Sequence, residues 1–136
     1  MVLAAHASAY HWSHAGTYVH EQRGEWMLAH VYTVLGRSEP ALHHAGQCMQ
    51  LTERYADKIK DFDRAYGHEA MARAGALASR LEEAGHQRRK AEELGAQIQD
   101  EKDRTIFLGD VHAGPWFALE GSFPNSEARI PSSDPS

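Results

Sequence analysis

Between residues 25 and 53 the apolar residues recur every three or four positions, which is typical of amphipathic helices. The first run precedes Gly36 and consists of Leu28, Val31, Tyr32 and Leu35. The second follows Pro40 and consists of Ala41, Leu42, Ala45, Cys48 and Met49. Gly36 favours a left-handed helix end, and Pro40 has no amide hydrogen to lose in a first helical turn. This segment therefore predicts two antiparallel helices joined by a short turn at residues 36–39.

Glycine and aspartate positions divide the flanking sequence into further predicted helices. On the N-terminal side, residues 2–15 are predicted to form a helix that stops at Gly16, and the next helix continues to Leu35. Beyond the hairpin, Asp61 or Asp63 can cap a further helix. The inward stripe of that helix consists of Phe62, Tyr66, Ala70, Ala74 and Leu77.

Two more helices are predicted before the C-terminal tail. A capping box from Ser79 to Glu82, in which the serine reaches forward and the glutamate reaches back, opens the first of them. Its inward residues are Leu81, Ala84, Ala91, Leu94 and Ile98. The second runs from Asp100 to Gly114, with Phe107 and Val111 inward. The chain is therefore predicted to form one all-α domain over residues 1–119, followed by a Ser- and Pro-rich tail over residues 120–136.

The central hairpin resembles a tetratricopeptide repeat. The residues that carry the resemblance are Ala29, Tyr32, Gly36, Ala41, Ala45 and Cys48, which give a small residue, an aromatic, a turn glycine and small residues on the second helix. Ala72 and Ala84 stand in the same relation 43 residues later, a step longer than the roughly 34 residues of the regular repeat. The resemblance implies a short degenerate solenoid of five to six helices and a non-catalytic role in binding a protein or peptide.

The resemblance also implies which face would bind, because the first helix of each repeat lines a concave surface. The residues expected on that surface are Arg23, Trp26, His30, Tyr66, Glu69 and Arg73, together with Thr33. Arginines that clamp a carboxylate, aromatics that stack and a histidine that hydrogen-bonds would suit a peptide or a small acidic ligand. In the other interpretation the end helices fold across this face, and Trp26 and Tyr66 are core residues.

Ten histidines suggest a second function, a metal-binding or small-molecule-binding helical bundle. His11 and His14 are three residues apart, so one helix face could present both imidazoles to zinc or nickel. The further ligands that such a site needs could come from His6, His20 or Glu21. In the competing interpretation, which we favour, these histidines pack with neighbouring aromatics, and we expect no bound metal and no cofactor.

No motif in the sequence predicts an enzyme. His68 and Glu69 are neighbours on a helix and therefore diverge, and the His-Glu-x-x-His and phosphate-loop patterns do not occur. Cys48 lies on an apolar stripe without a cationic activator, which indicates a small buried hydrophobe. We therefore expect no catalytic residue.

Charge and cysteine content narrow the partners and the compartment. The net charge is −5, and the densest basic cluster, residues 88–90, is followed at once by Glu92 and Glu93, so a nucleic-acid-binding face is not expected. A single cysteine suits a reducing compartment. The first twelve residues do not read as a signal peptide, and no apolar run approaches the length of a membrane span. We expect a cytoplasmic protein without membrane contact.

Three large apolar residues, Trp116, Phe117 and Leu119, follow the last predicted helix. If these residues were exposed to water, they would form an apolar patch of the kind that marks a contact site. A repeat array also has apolar edges at its ends. We therefore expect a homodimer held together by this segment.

Overall fold

The computed structural model describes residues 18–119, which form five α-helices and a 3₁₀ turn. The helices are α1 (Tyr18–Val34), α2 (Ser38–Arg54), α3 (Asp61–Leu77), α4 (Leu81–Ala96) and α5 (Glu101–His112), and the 3₁₀ turn is Phe117–Leu119. No strand occurs within this range, so the predicted all-α class is confirmed for it. The predicted helix over residues 2–15 and the predicted tail over residues 120–136 lie outside the described residues. None of the five helices is both long and apolar enough to cross a membrane.

The 43-residue step is confirmed as a repeat of backbone geometry. Helix α3 ends 43 residues after α1, and α4 begins 43 residues after α2. Gly36, with φ 75°, and Ser79, with φ 64°, occupy equivalent left-handed positions in the two turns. In both turns the amide of the residue after the left-handed position donates to a carbonyl near the end of the preceding helix. Arg37 N donates to Tyr32 O at 2.9 Å, and Arg80 N donates to Gly75 O at 2.8 Å.

The capping box predicted at Ser79 is wrong. Ser79 lies in the turn, and Arg80 takes the N-cap position of α4 without a side-chain cap. The reason is the turn geometry shared with the first hairpin, which requires a left-handed residue at position 79 and moves the start of the helix one residue further along the chain. Asp100 does cap α5, since its carboxylate accepts a hydrogen bond from Asp103 N at 2.9 Å.

Helix α3 is central to the described fold. It contacts α1, α2, α4, α5 and the 3₁₀ turn, whereas α2 and α4 do not meet. A helix surrounded in this way needs small side chains, and α3 buries five alanines together with two glycines. At Gly67 an added Cβ would lie 2.4 Å from Thr52 Oγ1 of α2. At Gly95 of α4 it would lie 2.5 Å from the ring of Phe107 on α5. The close approaches of the helices therefore depend on these glycines.

Two leucines predicted to face inward are exposed instead. Leu35 is 46% exposed and Leu81 is 39% exposed. Leu35 lies in the α1–α2 turn, and Leu81 is the first residue of α4. Both leucines therefore lie at the end of an apolar stripe, where the neighbouring helices do not cover them. The predictions for Ala41, Ala45 and Cys48 are confirmed, since all three are fully buried.

The segment over residues 113–119, here called the C-terminal strap, folds back onto its own helices. Trp116 is 2% exposed and Leu119 is 7% exposed. Both belong to the core cluster that contains Phe107 and Val111, and Trp116 Nε1 donates to Val111 O at 2.9 Å. The apolar surface on which the tail-mediated homodimer was predicted is therefore covered within the chain. The homodimer remains a prediction, and these residues no longer support it.

Gly36→Val is expected to lower the free energy of unfolding by more than about 1 kcal/mol, because a β-branched residue disfavours a left-handed backbone. No atom lies within 4 Å of a Cβ added at Gly36, so the loss would report backbone strain rather than a clash. Gly46 has equally open surroundings but lies inside α2. Gly46→Ala is therefore the matched control, expected to raise stability by up to about 1 kcal/mol. Urea unfolding measures both, and an unchanged midpoint for Gly36→Val would contradict the expected strain.

Candidate functional site

The six residues predicted to line a concave surface lie together on the face that α1 and α3 share. Two adjoining grooves, each of about 400 Å³, run along this face, with Trp26 and Tyr66 in both. The first, called the apolar groove, also includes Arg23, Met27 and Phe62. The second, called the strap groove, is closed at one side by α5 and the strap. Its other residues that matter here are His30, Glu69, Arg73 and Asp110.

The apolar groove is bordered by a polar network that joins three helices. Arg23 makes two hydrogen bonds to Asp63, Nε to Oδ1 and Nη2 to Oδ2, each 2.9 Å long. The bonds to the Asp63 carboxylate raise the pKa of the Arg23 guanidinium. Gln22 Nε2 donates to Thr52 Oγ1 at 3.1 Å and to Asp63 O at 2.9 Å. Gln22 is 1% exposed, so these bonds satisfy an amide that would otherwise be buried without partners.

Arg73 is held by groups of its own chain. Its Nε donates to Glu69 Oε2, its Nη1 to Pro115 O at 3.1 Å and its Nη2 to Asp110 O at 2.6 Å. The guanidinium also lies over the Trp116 ring, 4.2 Å from its centroid. Arg73 is 8% exposed. The clamp for a ligand carboxylate that the sequence suggested at this position is therefore occupied by backbone carbonyls and Glu69.

The aromatic residues of the face connect the two grooves. Trp26 Nε1 donates to Glu69 Oε1 at 2.8 Å, and the Trp26 ring stacks on His30 with centroids 5.0 Å apart. Tyr66 meets Trp26 edge-on at 5.5 Å, and its hydroxyl donates to Asp110 Oδ2. Burial, followed by the bond to Asp110, raises the pKa of the Tyr66 hydroxyl. Tyr66 therefore remains a neutral hydrogen-bond donor at neutral pH.

The face is covered at one end and open at the other. At the strap end, Glu69 and Arg73 are buried beneath α5 and the strap. At the other end, beside the apolar groove, the Arg23 side chain is 40% exposed. The two interpretations of the sequence thus each describe one part of the surface. The end of the chain fills the Arg73 side, and the apolar groove remains accessible.

Sequence reasoning missed a pair of histidine bridges within the hairpins. His44 Nδ1 lies 2.7 Å from Glu25 Oε1 between α1 and α2, and His68 Nδ1 lies 2.6 Å from Gln87 Oε1 between α3 and α4. The two bridges are 43 residues apart at both ends, so the repeat step was the signal that could have found them. Their equivalent positions indicate that they join the helices of each hairpin.

The metal-site hypothesis rests largely on residues that are not described. His6, His11 and His14 lie outside residues 18–119. Within that range no group of three or more histidine, cysteine, aspartate or glutamate side chains could hold a metal ion. Cys48 is fully buried, and burial raises the pKa of its thiol to about 12. The thiol therefore stays protonated at neutral pH, which confirms its interpretation as a small core residue.

No protein-family model, no curated protein and no solved structure matches the chain. The grooves, their charges and their exposure therefore carry the functional interpretation.

Proposed function

We propose that this chain is a non-catalytic binding module that holds a peptide segment of a partner protein on the face shared by α1 and α3. The observation that carries the proposal is the convergence of six residues from two helices on two adjoining grooves. Residues 36 to 50 positions apart in sequence line one continuous surface with aromatic rings at its centre. Aromatic residues of this kind dominate the energetics of protein interfaces.

We further propose that the fold is a short tetratricopeptide-like solenoid that operates in the cytoplasm. The contact pattern supports the solenoid, because the first helices of the two hairpins, α1 and α3, pack together while the second helices stay apart. Helix α5 continues the series by packing on α3 and α4. Such an array presents its first helices along one side, which is where the two grooves lie.

The apolar groove favours an apolar side chain as the anchor of the bound peptide. Met27 and Phe62 line it together with the rings of Trp26 and Tyr66. The charges beside them are paired, since Arg23 and Asp63 hold each other in a two-bond contact. A leucine or phenylalanine side chain moved from water into such a groove contributes about 1.5–3 kcal/mol. The sequence suggested an acidic ligand. Both arginines of this face, Arg23 and Arg73, already pair with carboxylates of the protein, so an acidic anchor would have no arginine to bind.

Selection of random 12-residue peptides displayed on phage against the immobilised full chain tests this proposal. We expect the enriched peptides to share a large apolar residue and to bind in the micromolar range. Met27→Glu places a charge in the apolar groove and should abolish their binding. Ile106→Glu makes the same change on α5 at a residue that is 51% exposed and outside both grooves, so it should leave binding unchanged.

Met27→Glu and Ile106→Glu can also contradict the proposal. Circular dichroism melting first establishes that both variants keep the fold. Peptides that bind the folded Met27→Glu variant as well as the parent chain would show that the apolar groove is not the binding site. Selection that enriches no peptide dependent on this face would reject the binding module.

A further inference from the structure

Among residues 18–119, five formally charged side chains line the two grooves, and four of these charges cancel in pairs. Arg23 pairs with Asp63, and Arg73 pairs with Glu69. The side chains of Asp63 and Glu69 are each only 4% exposed, so their partners are within the protein. The fifth charge belongs to Asp110 on α5, which no arginine or lysine of these grooves neutralises. Within the part of the chain that the structure describes, the face therefore carries one uncompensated negative charge.

Asp110 is placed to use that charge on a ligand. It is exposed, and its Oδ2 accepts the hydroxyl of Tyr66. Its Oδ1 takes part in no hydrogen bond with the residues that the structure describes. A carboxylate offers about four lone-pair positions, so one bond from Tyr66 leaves most of its accepting capacity free. The Tyr66 bond fixes the carboxylate at the edge of the strap groove and reduces the conformational entropy that binding would cost.

The rings around Asp110 suit a cation as well. Trp26, His30 and Tyr66 all line the strap groove. Aromatic faces attract ammonium and guanidinium groups through their quadrupoles, most strongly for tryptophan. The net charge of the chain, −5, adds a long-range attraction for basic segments.

We propose that the strap groove binds the ammonium or guanidinium group of a lysine or arginine in the same peptide whose apolar residue fills the apolar groove. This inference rests on the proposed function and specifies its ligand. Asp110 supplies the charge-assisted hydrogen bond, and Trp26 and Tyr66 supply the walls that the two subsites share. Because the grooves share these residues, the basic and apolar side chains lie within about four residues of each other in an extended peptide.

Asp110→Asn tests the charge alone, because it removes the charge and is expected to preserve the local structure. The asparagine carbonyl can still accept the Tyr66 hydroxyl, but the negative charge is gone. Glu101→Gln makes the corresponding change at an exposed residue of α5 outside both grooves and is the control. The phage selection is repeated on the parent chain and on these two variants. We expect lysine or arginine near the apolar anchor in the pools from the parent chain and Glu101→Gln, and the anchor alone in the pool from Asp110→Asn.

A synthetic peptide from the parent pool then gives the size of the effect. Norleucine in place of its lysine, or citrulline in place of its arginine, removes the charge and keeps the length. This exchange should weaken binding to the parent chain about tenfold, as expected for a charge-assisted contact on an aromatic surface. It should change binding to Asp110→Asn less than twofold. Fluorescence anisotropy at 50 mM and 500 mM NaCl should show the difference shrinking with salt, since the contact is partly exposed.

The outcomes separate this inference from the proposed function. If the parent pool shares an apolar anchor without lysine or arginine, or with acidic residues instead, the cation subsite is rejected and the binding module stands. Equal enrichment of basic residues by the parent chain and Asp110→Asn would also reject the subsite. If Met27→Glu binds the selected peptides unchanged, the face itself is not the binding site and both proposals fall.

Discussion

Trp116→Ala is expected to lower the free energy of unfolding by about 3–5 kcal/mol, the range for removing a large aromatic ring from a core. Trp116 is 2% exposed, and its indole Nε1 donates to Val111 O. The guanidinium groups of Arg73 and Arg88 lie over its ring at 4.2 and 4.3 Å from the centroid. The substitution removes all of these contacts at once, together with the anchor that holds the C-terminal strap on α3 and α4. Urea unfolding followed by far-ultraviolet circular dichroism measures the change.

A matched control separates this loss from a general effect on the C-terminal helices. Ile106→Ala truncates a side chain of α5 that is 51% exposed, so it should change stability by no more than about 0.5 kcal/mol. Light scattering on the same samples tests the role of the strap between copies. A Trp116→Ala chain that loses less than about 1 kcal/mol but changes from dimer to monomer would show that the ring acts at an interface between copies. It would contradict the burial of the strap within one chain.

The helices were predictable because their signals are local in sequence. The apolar spacing predicted a helix that reaches Leu77 and is capped by Asp61 or Asp63. Helix α3 does end at Leu77, but Lys60 is its N-cap residue, and both aspartates lie in the first turn. The left-handed Gly36 was predicted from residue type and position alone, and the structure confirms it. At Ser79 the local signal pointed elsewhere. A serine followed by Glu82 favours a capping box, but packing of the second hairpin imposed the same turn that Gly36 forms in the first.

The sequence predicted which residues share the face, but it did not predict the hydrogen bonds and ion pairs that they form. Helical spacing is enough to bring Trp26 and Tyr66 to one face once their helices pack together. It gives no information on the partners of Arg73, which lie 37 and 42 residues away in Asp110 and Pro115. The same holds for Gln22, whose amide bonds to groups 30 and 41 residues away. Contacts at such separations depend on the tertiary fold, and they decide which charges of the face remain available to a ligand.

Arg73→Met is expected to destabilise the chain by about 3–5 kcal/mol, because removing one partner of a buried ion pair leaves the other charge without compensation. Glu69, on the same helix, is 3% exposed and would keep only the hydrogen bond from Trp26 Nε1. Methionine preserves most of the apolar stem of arginine, so the loss reports the guanidinium rather than a cavity. The Asp110 and Pro115 carbonyls lose their donor in the same step. Urea unfolding at neutral pH measures the effect.

The double variant Glu69→Gln/Arg73→Met isolates the charge. Glutamine keeps an acceptor for Trp26 and removes the buried negative charge, so the double variant should be less destabilised than the sum of the single changes by about 1–3 kcal/mol.

Arg23→Met is the matched control, because its partner Asp63 lies in the first turn of α3 and still accepts Lys60 N at 3.3 Å. A carboxylate at a helix N-terminus is stabilised by the helix dipole, and the Arg23 side chain is 40% exposed. Arg23→Met should therefore cost less than half as much as Arg73→Met. Equal losses at the two arginines, or strict additivity in the double variant, would mean that Glu69 does not depend on Arg73. The charge balance that leaves Asp110 as the uncompensated group of the face would then be wrong.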